Sequence, residues 1–294
     1  MRQLFIFGAG FSSTECGRQA AGKFDAIYGT TRKREKSTAL EAAGIRSLIF
    51  DGQIQSDADI ETVLAKASDL LISIAPGDDG DVVLNRFATV LERSDKLRWI
   101  CYLSTVGVYG DHGGSWVNEA SECRPVSERS VRRVAAEKAW QKFALDKGIP
   151  LAIFRLSGIY GPGRNTFVNI EKGTTRRLVK QGQVFNRIHR DDIARAFELA
   201  ASIRADGIFN ITDDQPAPPQ DVVTLAHELH GSEPPPEMDF ETAELSPMAR
   251  SFYGENKRVS NAKSKAVLGL EYQWPNYRYA LKNMWVTQNW RGED

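Results

Sequence analysis

Gln3-Leu4-Phe5-Ile6-Phe7, followed by Gly8-Ala9-Gly10-Phe11-Ser12-Ser13, decides the fold. The first five residues form a short apolar and aromatic run, as expected of a strand buried on both faces. Residues 12–21 hold no proline and can run as a helix, with Ser12 or Ser13 placed to cap its first turn. Strand, glycine turn and helix, in that order, form the setting in which a dinucleotide diphosphate meets free helix N–H groups and the positive end of the helix dipole. Gly8 permits the turn, Gly10 lets the backbone approach the anion, and Ser13 fills the slot of the usual third glycine, which sets helix–strand spacing. Gly8, Ala9, Gly10, Phe11, Ser12 and Ser13 are therefore the candidate cofactor turn. The alternative is an ordinary tight βα turn.

Residues 25–30 read as the second strand. NAD-binding units usually place an acidic residue about twenty positions after the glycines. Here that place holds Thr30-Thr31-Arg32-Lys33-Arg34, with no carboxylate to repel a 2′-phosphate. Thr31 and Arg32 thus favour NADP(H), with NAD(H) as the alternative cofactor and a solvated basic loop as the structural one. Residues 45–50 form a third strand ending at Asp51, which either faces the adenine or makes a turn. Residues 69–75 form a fourth, ended by Pro76-Gly77, so Ala75 and Pro76 stand at its carboxyl end. Asp78, Asp79 and Asp81 read as caps for a helix over 82–91, and no metal site is expected. Residues 97–103 form the fifth strand, ending in Ser104-Thr105-Val106-Gly107-Val108-Tyr109-Gly110. Ligands in such sheets bind at the strands' carboxyl ends, which makes these hydroxyls candidates for the reacting centre. Strands alternating with helical stretches of ten to fifteen residues predict a doubly wound, parallel, Rossmann-type α/β sheet.

The 294 residues carry 38 Lys and Arg against 38 Asp and Glu, so there is no basic field for nucleic acid and no acidic tail. Cys16, Cys101 and Cys123 contain no C-x-x-C pair and suit reduced thiols, with Cys101 in the core. Met1-Arg2 leads straight into the first strand, which fits no secretory leader, and no apolar stretch reaches membrane-spanning length. The expectation is a cytoplasmic protein without nucleic-acid or membrane partners.

Gly8-Ala9-Gly10, Ser104-Thr105 with Val108-Tyr109-Gly110, Arg155-Leu156-Ser157-Gly158-Ile159-Tyr160-Gly161-Pro162-Gly163 and His189-Arg190-Asp191-Asp192-Ile193-Ala194 together resemble the extended short-chain dehydrogenase/reductases, also called the NAD-dependent epimerase/dehydratase family. Phe209-Asn210-Ile211-Thr212-Asp213 and Val259-Ser260-Asn261-Ala262-Lys263 continue the match, which spans nearly the whole chain. The resemblance implies about seven parallel strands, a small C-terminal substrate lobe, a nicotinamide cofactor, and redox, epimerisation or dehydration of sugar-like substrates. It also implies a homodimer through the helices beside strand 5. The expected division is a Rossmann domain over 1–163, returning at about 188–230, and a small lobe over 164–187 and 231–294.

The family's chemistry uses a Tyr-x-x-x-Lys pair on the helix after strand 5. Anchored on Glu137, that helix places Arg129 at the Tyr position and Arg133 at the Lys position, and the region holds no Tyr in any register. Arginine cannot exchange protons at neutral pH. Arg129 and Arg133 either hold cofactor or an anionic substrate, with Arg133 able to bond the nicotinamide ribose, or form a solvated face paired with Glu128 and Glu137. Any chemistry then needs Thr105 with another acid/base, for which Tyr109 and Tyr160 are candidates; packing is the other reading of both. His112 lies in a glycine-rich loop and is expected at the surface, and His227 and His230 are read as structural. His189 or Arg190 is a candidate to point at the substrate. Beyond a proline-rich loop at 232–236 the chain is expected to be helix-poor, with Trp274, Tyr277, Tyr279 and Trp285 packing the small lobe. The leading expectation is an NADP(H)-dependent oxidoreductase, epimerase or dehydratase on a small polar, anionic or nucleotide-sugar substrate. The rivals are a non-catalytic NADP(H) sensor and a structural relic that binds no cofactor.

Overall fold

The computed structural model describes residues 1–52 and 58–292. β1 (Gln3–Phe7), α1 (Phe11–Gln19), β2 (Ala26–Thr31), α2 (Ser37–Ala42), β3 (Arg46–Ile49), α3 (Ala58–Leu64), β4 (Asp69–Ile72), α4 (Val82–Arg93) and β5 (Trp99–Thr105) alternate strand and helix. β6 (Trp116–Val117), α5 (Glu128–Lys147), β7 (Leu151–Leu156), β8 (Gly158–Tyr160), α6 (Thr166–Glu171), β9 (Arg177–Val179), β10 (Arg187–His189), α7 (Arg190–Ile203) and β11 (Gly207–Ile211) follow. The chain closes with α8 (Pro219–His230), β12 (Glu237–Asp239), α9 (Pro247–Phe252), β13 (Arg258–Val259), α10 (Ala262–Leu268) and α11 (Tyr277–Thr287).

The expected seven-stranded parallel sheet is present, ordered β3-β2-β1-β4-β5-β7-β11. All five residues of β1 are buried, because helices cover both faces. Cys16 of α1, Ala20 just after that helix, and the alanine-rich side of α7 pack one face. Ile60 and Leu64 of α3, Phe87 and Leu91 of α4, and Trp140 and Phe143 of α5 pack the other. Asp81 caps α4 by accepting the N–H groups of Val83 and Leu84, the role expected for this acidic loop. Cys16 and Cys101 are buried free thiols, raised in pKa by burial. Among the described residues no helix is long and apolar enough to cross a membrane.

A second core joins Phe167, Ala217, Val222, Ala226, Tyr277, Leu281, Met284 and Trp290. α8 therefore packs with α6 and α11 rather than with the sheet's helices. The C-terminal stretch is not helix-poor: α10 ends at Gly269 in the left-handed conformation, and Asn276 caps α11 by accepting the N–H of Tyr279. Tyr277 belongs to this core, whereas Tyr279 is exposed and the Trp274 ring lies tilted against His189 at 4.6 Å.

Candidate functional site

The glycine turn is built by hydrogen bonds to β2 and to its own helix. Gly8 N donates to Thr30 Oγ1 at 2.8 Å, and Ala9 N to the Thr30 carbonyl at 2.7 Å. The residue before α1 is Gly10, not Ser12 or Ser13. Ser13 sits one turn in, and its buried hydroxyl donates to Gly8 O at 2.6 Å while accepting from Gly10 N at 2.9 Å. That side chain is spent inside the turn and is not available to a cofactor. Nor does Ser13 set the helix–strand spacing: a Cβ on Gly17 would lie 2.8 Å from Ile45 Cδ1, so that glycine does. The first helical bond runs from Thr14 N to Gly10 O, which leaves the N–H groups of Phe11, Ser12 and Ser13 outside the ladder. The Cα face of Gly10 is open, with nothing nearer to a built Cβ than Gly8 O at 3.9 Å. Thr31 is buried, with its hydroxyl on the Lys33 backbone; Arg32 is exposed just beyond β2, and Asp51 is exposed beyond β3. This cradle fits a dinucleotide: open at Gly10, rich in backbone donors, and without an acid in the first turn of α1.

Beside the carboxyl ends of β4 and β5 opens a cleft of about 980 Å³. Ala75, Pro76, Thr105, Arg129 and Arg133 line its sheet side, and Tyr160, Arg164, Arg187, Glu255 and Lys257 are among the residues opposite. Thr105 Oγ1 accepts from Gly107 N at 3.1 Å, so its O–H remains free to donate. Arg133 donates to Leu103 O at 2.8 Å and to the Tyr102 hydroxyl at 3.1 Å. Arg129 is exposed and lies 4.1 Å from the Phe252 ring centroid. Neither pairs with the carboxylates that the solvated-face reading requires: Glu128 takes Arg132, and Glu137 takes Arg155.

Two expected site residues turn inward. Ser104 is buried and donates to Glu137 Oε1 at 2.5 Å. Tyr109 is fully buried, donates to Asn210 Oδ1 at 2.7 Å, and has the Arg155 guanidinium 4.8 Å from its ring. Burial, only partly countered by Arg155, pushes its phenol up to about 12. Tyr109 thus turns its hydroxyl to Asn210 in the core and is not among the residues lining the cleft. Tyr109→Phe should cost about 1 kcal/mol in urea unfolding and leave dinucleotide affinity unchanged; a lost cofactor site would contradict this placement.

Tyr160 lines the cleft with its ring edge-on to His189 at 5.2 Å, and its hydroxyl is buried without a hydrogen-bond partner among the described residues. Burial first, then Asp213 and Asp192, hold this phenol well above its usual range. His189 is buried, accepts from Asp191 N at 3.2 Å, and is driven down to about 3 by burial and then by Arg190. It is not among the residues lining the cleft. The loop carrying His112 is bonded to Asn256, whose carbonyl oxygen accepts the N–H groups of His112 and Gly114 at 3.0 and 2.9 Å. Arg176, Arg177 and Lys180 bond to Glu244 O, Glu237 and Tyr253 O.

The segment 253–257 supplies what the motif reading missed. Lys180 Nζ holds Tyr253 O at 2.6 Å, Gln183 Nε2 holds Glu255 O at 2.8 Å, and Asn186 Nδ2 holds Lys257 O at 2.9 Å. The Lys257 ammonium is buried and donates to Glu255 Oε2 at 2.7 Å and to Gly110 O at 2.8 Å. Glu255 is the one carboxylate among the described residues lining the cleft. The sequence signal for Lys257 was its place just before Val259-Ser260-Asn261, and for Arg187 its place two before His189. Arg164 had no signal beyond following Gly161-Pro162-Gly163.

The profile of the NAD dependent epimerase/dehydratase family matches residues 25–212. The structure of a functionally unknown conserved protein from Silicibacter pomeroyi DSS is similar at 41% identity and a TM-score of 0.88, over 98% of this chain and 99% of that one. Protein YeeZ of Escherichia coli strain K12 is 25% identical over 286 residues, 94% of this chain and 97% of that protein. UDP-glucuronic acid 4-epimerase from Bacillus cereus, in complex with UDP-glucuronic acid and NAD, shares the fold at a TM-score of 0.77 and 18% identity, over 97% of this chain and 99% of that one.

Proposed function

The chain belongs to the NAD dependent epimerase/dehydratase family, and from that premise we propose that it binds NADP(H) along the carboxyl edge of its sheet and acts on an anionic, sugar-linked small molecule in the adjoining cleft. The observation that carries this reading is the single cleft into which β4, β5 and α5 project from one side and the small lobe from the other. The first-turn N–H groups of α1 would hold the diphosphate, Arg32 the 2′-phosphate, and Ala75 and Pro76 the path toward Thr105. When bound, the nicotinamide supplies hydride transfer. Thr105 orients the substrate oxygen with its free O–H. Glu255, held by Lys257, is the group able to take or return a proton where Arg129 cannot. The cationic lining formed by Arg129, Arg133, Arg164, Lys172 and Arg187 favours an anionic substrate. The complex of the Bacillus cereus epimerase with a nucleotide-sugar and NAD supports the same class.

Titration with NADPH, NADP⁺ and NADH, followed by nicotinamide emission and tryptophan quenching, tests the reading. NADPH and NADP⁺ should bind at least about tenfold more tightly than NADH, and Arg32→Glu should erase that margin of roughly 1.4 kcal/mol. Equal NADH affinity overturns the NADP preference, and no binding overturns the cofactor site. One observation favours a second reading, a regulatory NADP(H)-binding protein: the residues at the Tyr and Lys positions are both engaged in protein contacts, Arg129 with Phe252 and Arg133 with Leu103. A strong preference for one redox state, with no turnover of UDP-sugars, would select it.

A further inference from the structure

The glycine turn is overlooked by a cation that comes from a distant part of the chain. Phe11, the first residue of α1, has the Arg190 guanidinium carbon 5.0 Å and the Arg164 guanidinium carbon 5.7 Å from its ring centroid. The two arginines are not equivalent. Arg190 opens α7 and is neutralised locally, with Nε donating to Asp191 Oδ1 at 3.3 Å and Nη2 lying 3.9 Å from Glu15 Oε2. Arg164 is exposed, and among the described residues no carboxylate pairs with it. Its backbone is fixed all the same: Gly161 N donates to Arg164 O and Arg164 N to Gly161 O, both at 3.0 Å, and the next residue, Asn165, caps α6. Arg164 also lines the cleft. One guanidinium therefore borders both the glycine turn and the cleft, rests on the aromatic residue at the start of α1, and keeps its charge unspent.

Resting on the cofactor reading above, we propose that Arg164 is a diphosphate-binding residue: it joins the N–H groups of Phe11, Ser12 and Ser13 in holding the dinucleotide's bridging phosphates, and Phe11 is the platform that aims it. Guanidinium is suited to this work, with a rigid fork of donors that matches phosphate oxygens and a flat face that stacks on an aromatic ring. The backbone donors alone carry only partial charge from the helix dipole, whereas Arg164 adds a full positive charge at an anion bearing two. The residue belongs to the loop that leads from β8 into the small lobe, so cofactor binding also engages that loop directly.

The test uses the full chain, with NADPH and NADH titrated against wild type, Arg164→Gln and Arg32→Glu. Both dinucleotides carry the bridging diphosphate, so Arg164→Gln should weaken both by the same factor, roughly tenfold, and flatten the salt dependence of binding. Arg32→Glu should weaken NADPH alone. Thermal melting without ligand checks that Arg164→Gln folds as wild type, as expected for an exposed side chain. Unchanged affinities in Arg164→Gln overturn the assignment while leaving the cofactor site standing. A loss confined to NADPH also overturns it, since Arg164 would then read the 2′-phosphate. A wild-type protein that binds neither dinucleotide removes the cofactor reading itself, and this proposal with it.

Discussion

Arg155→Met should lower the unfolding free energy by about 3–5 kcal/mol, the usual cost of leaving a buried charge without its partner. Arg155 and Glu137 have side chains only 5% and 4% exposed, and they meet through two bonds, Nη2 to Oε2 at 2.7 Å and Nε to Oε1 at 3.2 Å. Ser104 Oγ adds a third bond to the same carboxylate, and the Tyr109 ring lies 4.8 Å from the guanidinium. Burial alone would lower the Arg155 pKa, but the bonded Glu137 outweighs it and the net shift is upward. Removing the arginine strands a carboxylate between β5, β7 and α5, in a setting too dry to solvate it. The pair also sets where α5 lies, and α5 carries Arg129 and Arg133 to the cleft. The double change Glu137→Met with Arg155→Met should recover much of the loss, because a buried ion pair replaced by apolar groups of similar volume is often neutral. Urea unfolding of the two variants measures both. A single variant within 1 kcal/mol of wild type would mean that this pair does not hold the helix.

Gly110→Ala should be the most damaging single methyl group in the protein. Gly110 has φ +67°, and a Cβ built there would lie 1.6 Å from the Arg124 carbonyl oxygen and 2.6 Å from its carbon. The obstacle is backbone, not the end of a flexible side chain, because Arg124 N is itself bonded to Tyr109 O at 3.1 Å. Accommodation requires the two segments to part, which breaks that bond and displaces the Gly110 carbonyl that receives Lys257. The expected loss is at least about 4 kcal/mol, at the extreme of single substitutions, or failure to yield folded protein. Melting and cofactor titration together read the result. A variant with wild-type melting temperature and affinity would show that 107–124 does not close on itself as described.

The elements that define the fold were legible because they are local. The β1 run, the glycine turn and α1 occupy adjacent residues, and strand and helix patterns repeat often enough to make parallel βαβ units the consistent solution. Boundaries moved by a few residues: β5 runs through Ser104 and Thr105 to the sheet's edge rather than stopping at residue 103. The helices beyond residue 240 were missed because α9, α10 and α11 are short, at 6, 7 and 11 residues.

The site was half legible. Thr105, Arg133, Ala75 and Pro76 reach the cleft as motif position suggests. Tyr109 does not, because a tyrosine at a strand's carboxyl end can face either the ligand or the neighbouring strand, and only the placement of Asn210 and Arg155 selects the second. The amino-acid sequence by itself determined the parallel sheet, the dinucleotide-type turn, the family and the lack of a tyrosine on the helix after strand 5, since each is written in residue types at short, fixed spacing. Tertiary structure alone decided that Glu137 belongs to Arg155, that Glu255 and Lys257 stand in the cleft, and that Arg164 rests on Phe11. These partners are far apart along the chain, and a charge's role depends on which groups surround it once water has been excluded.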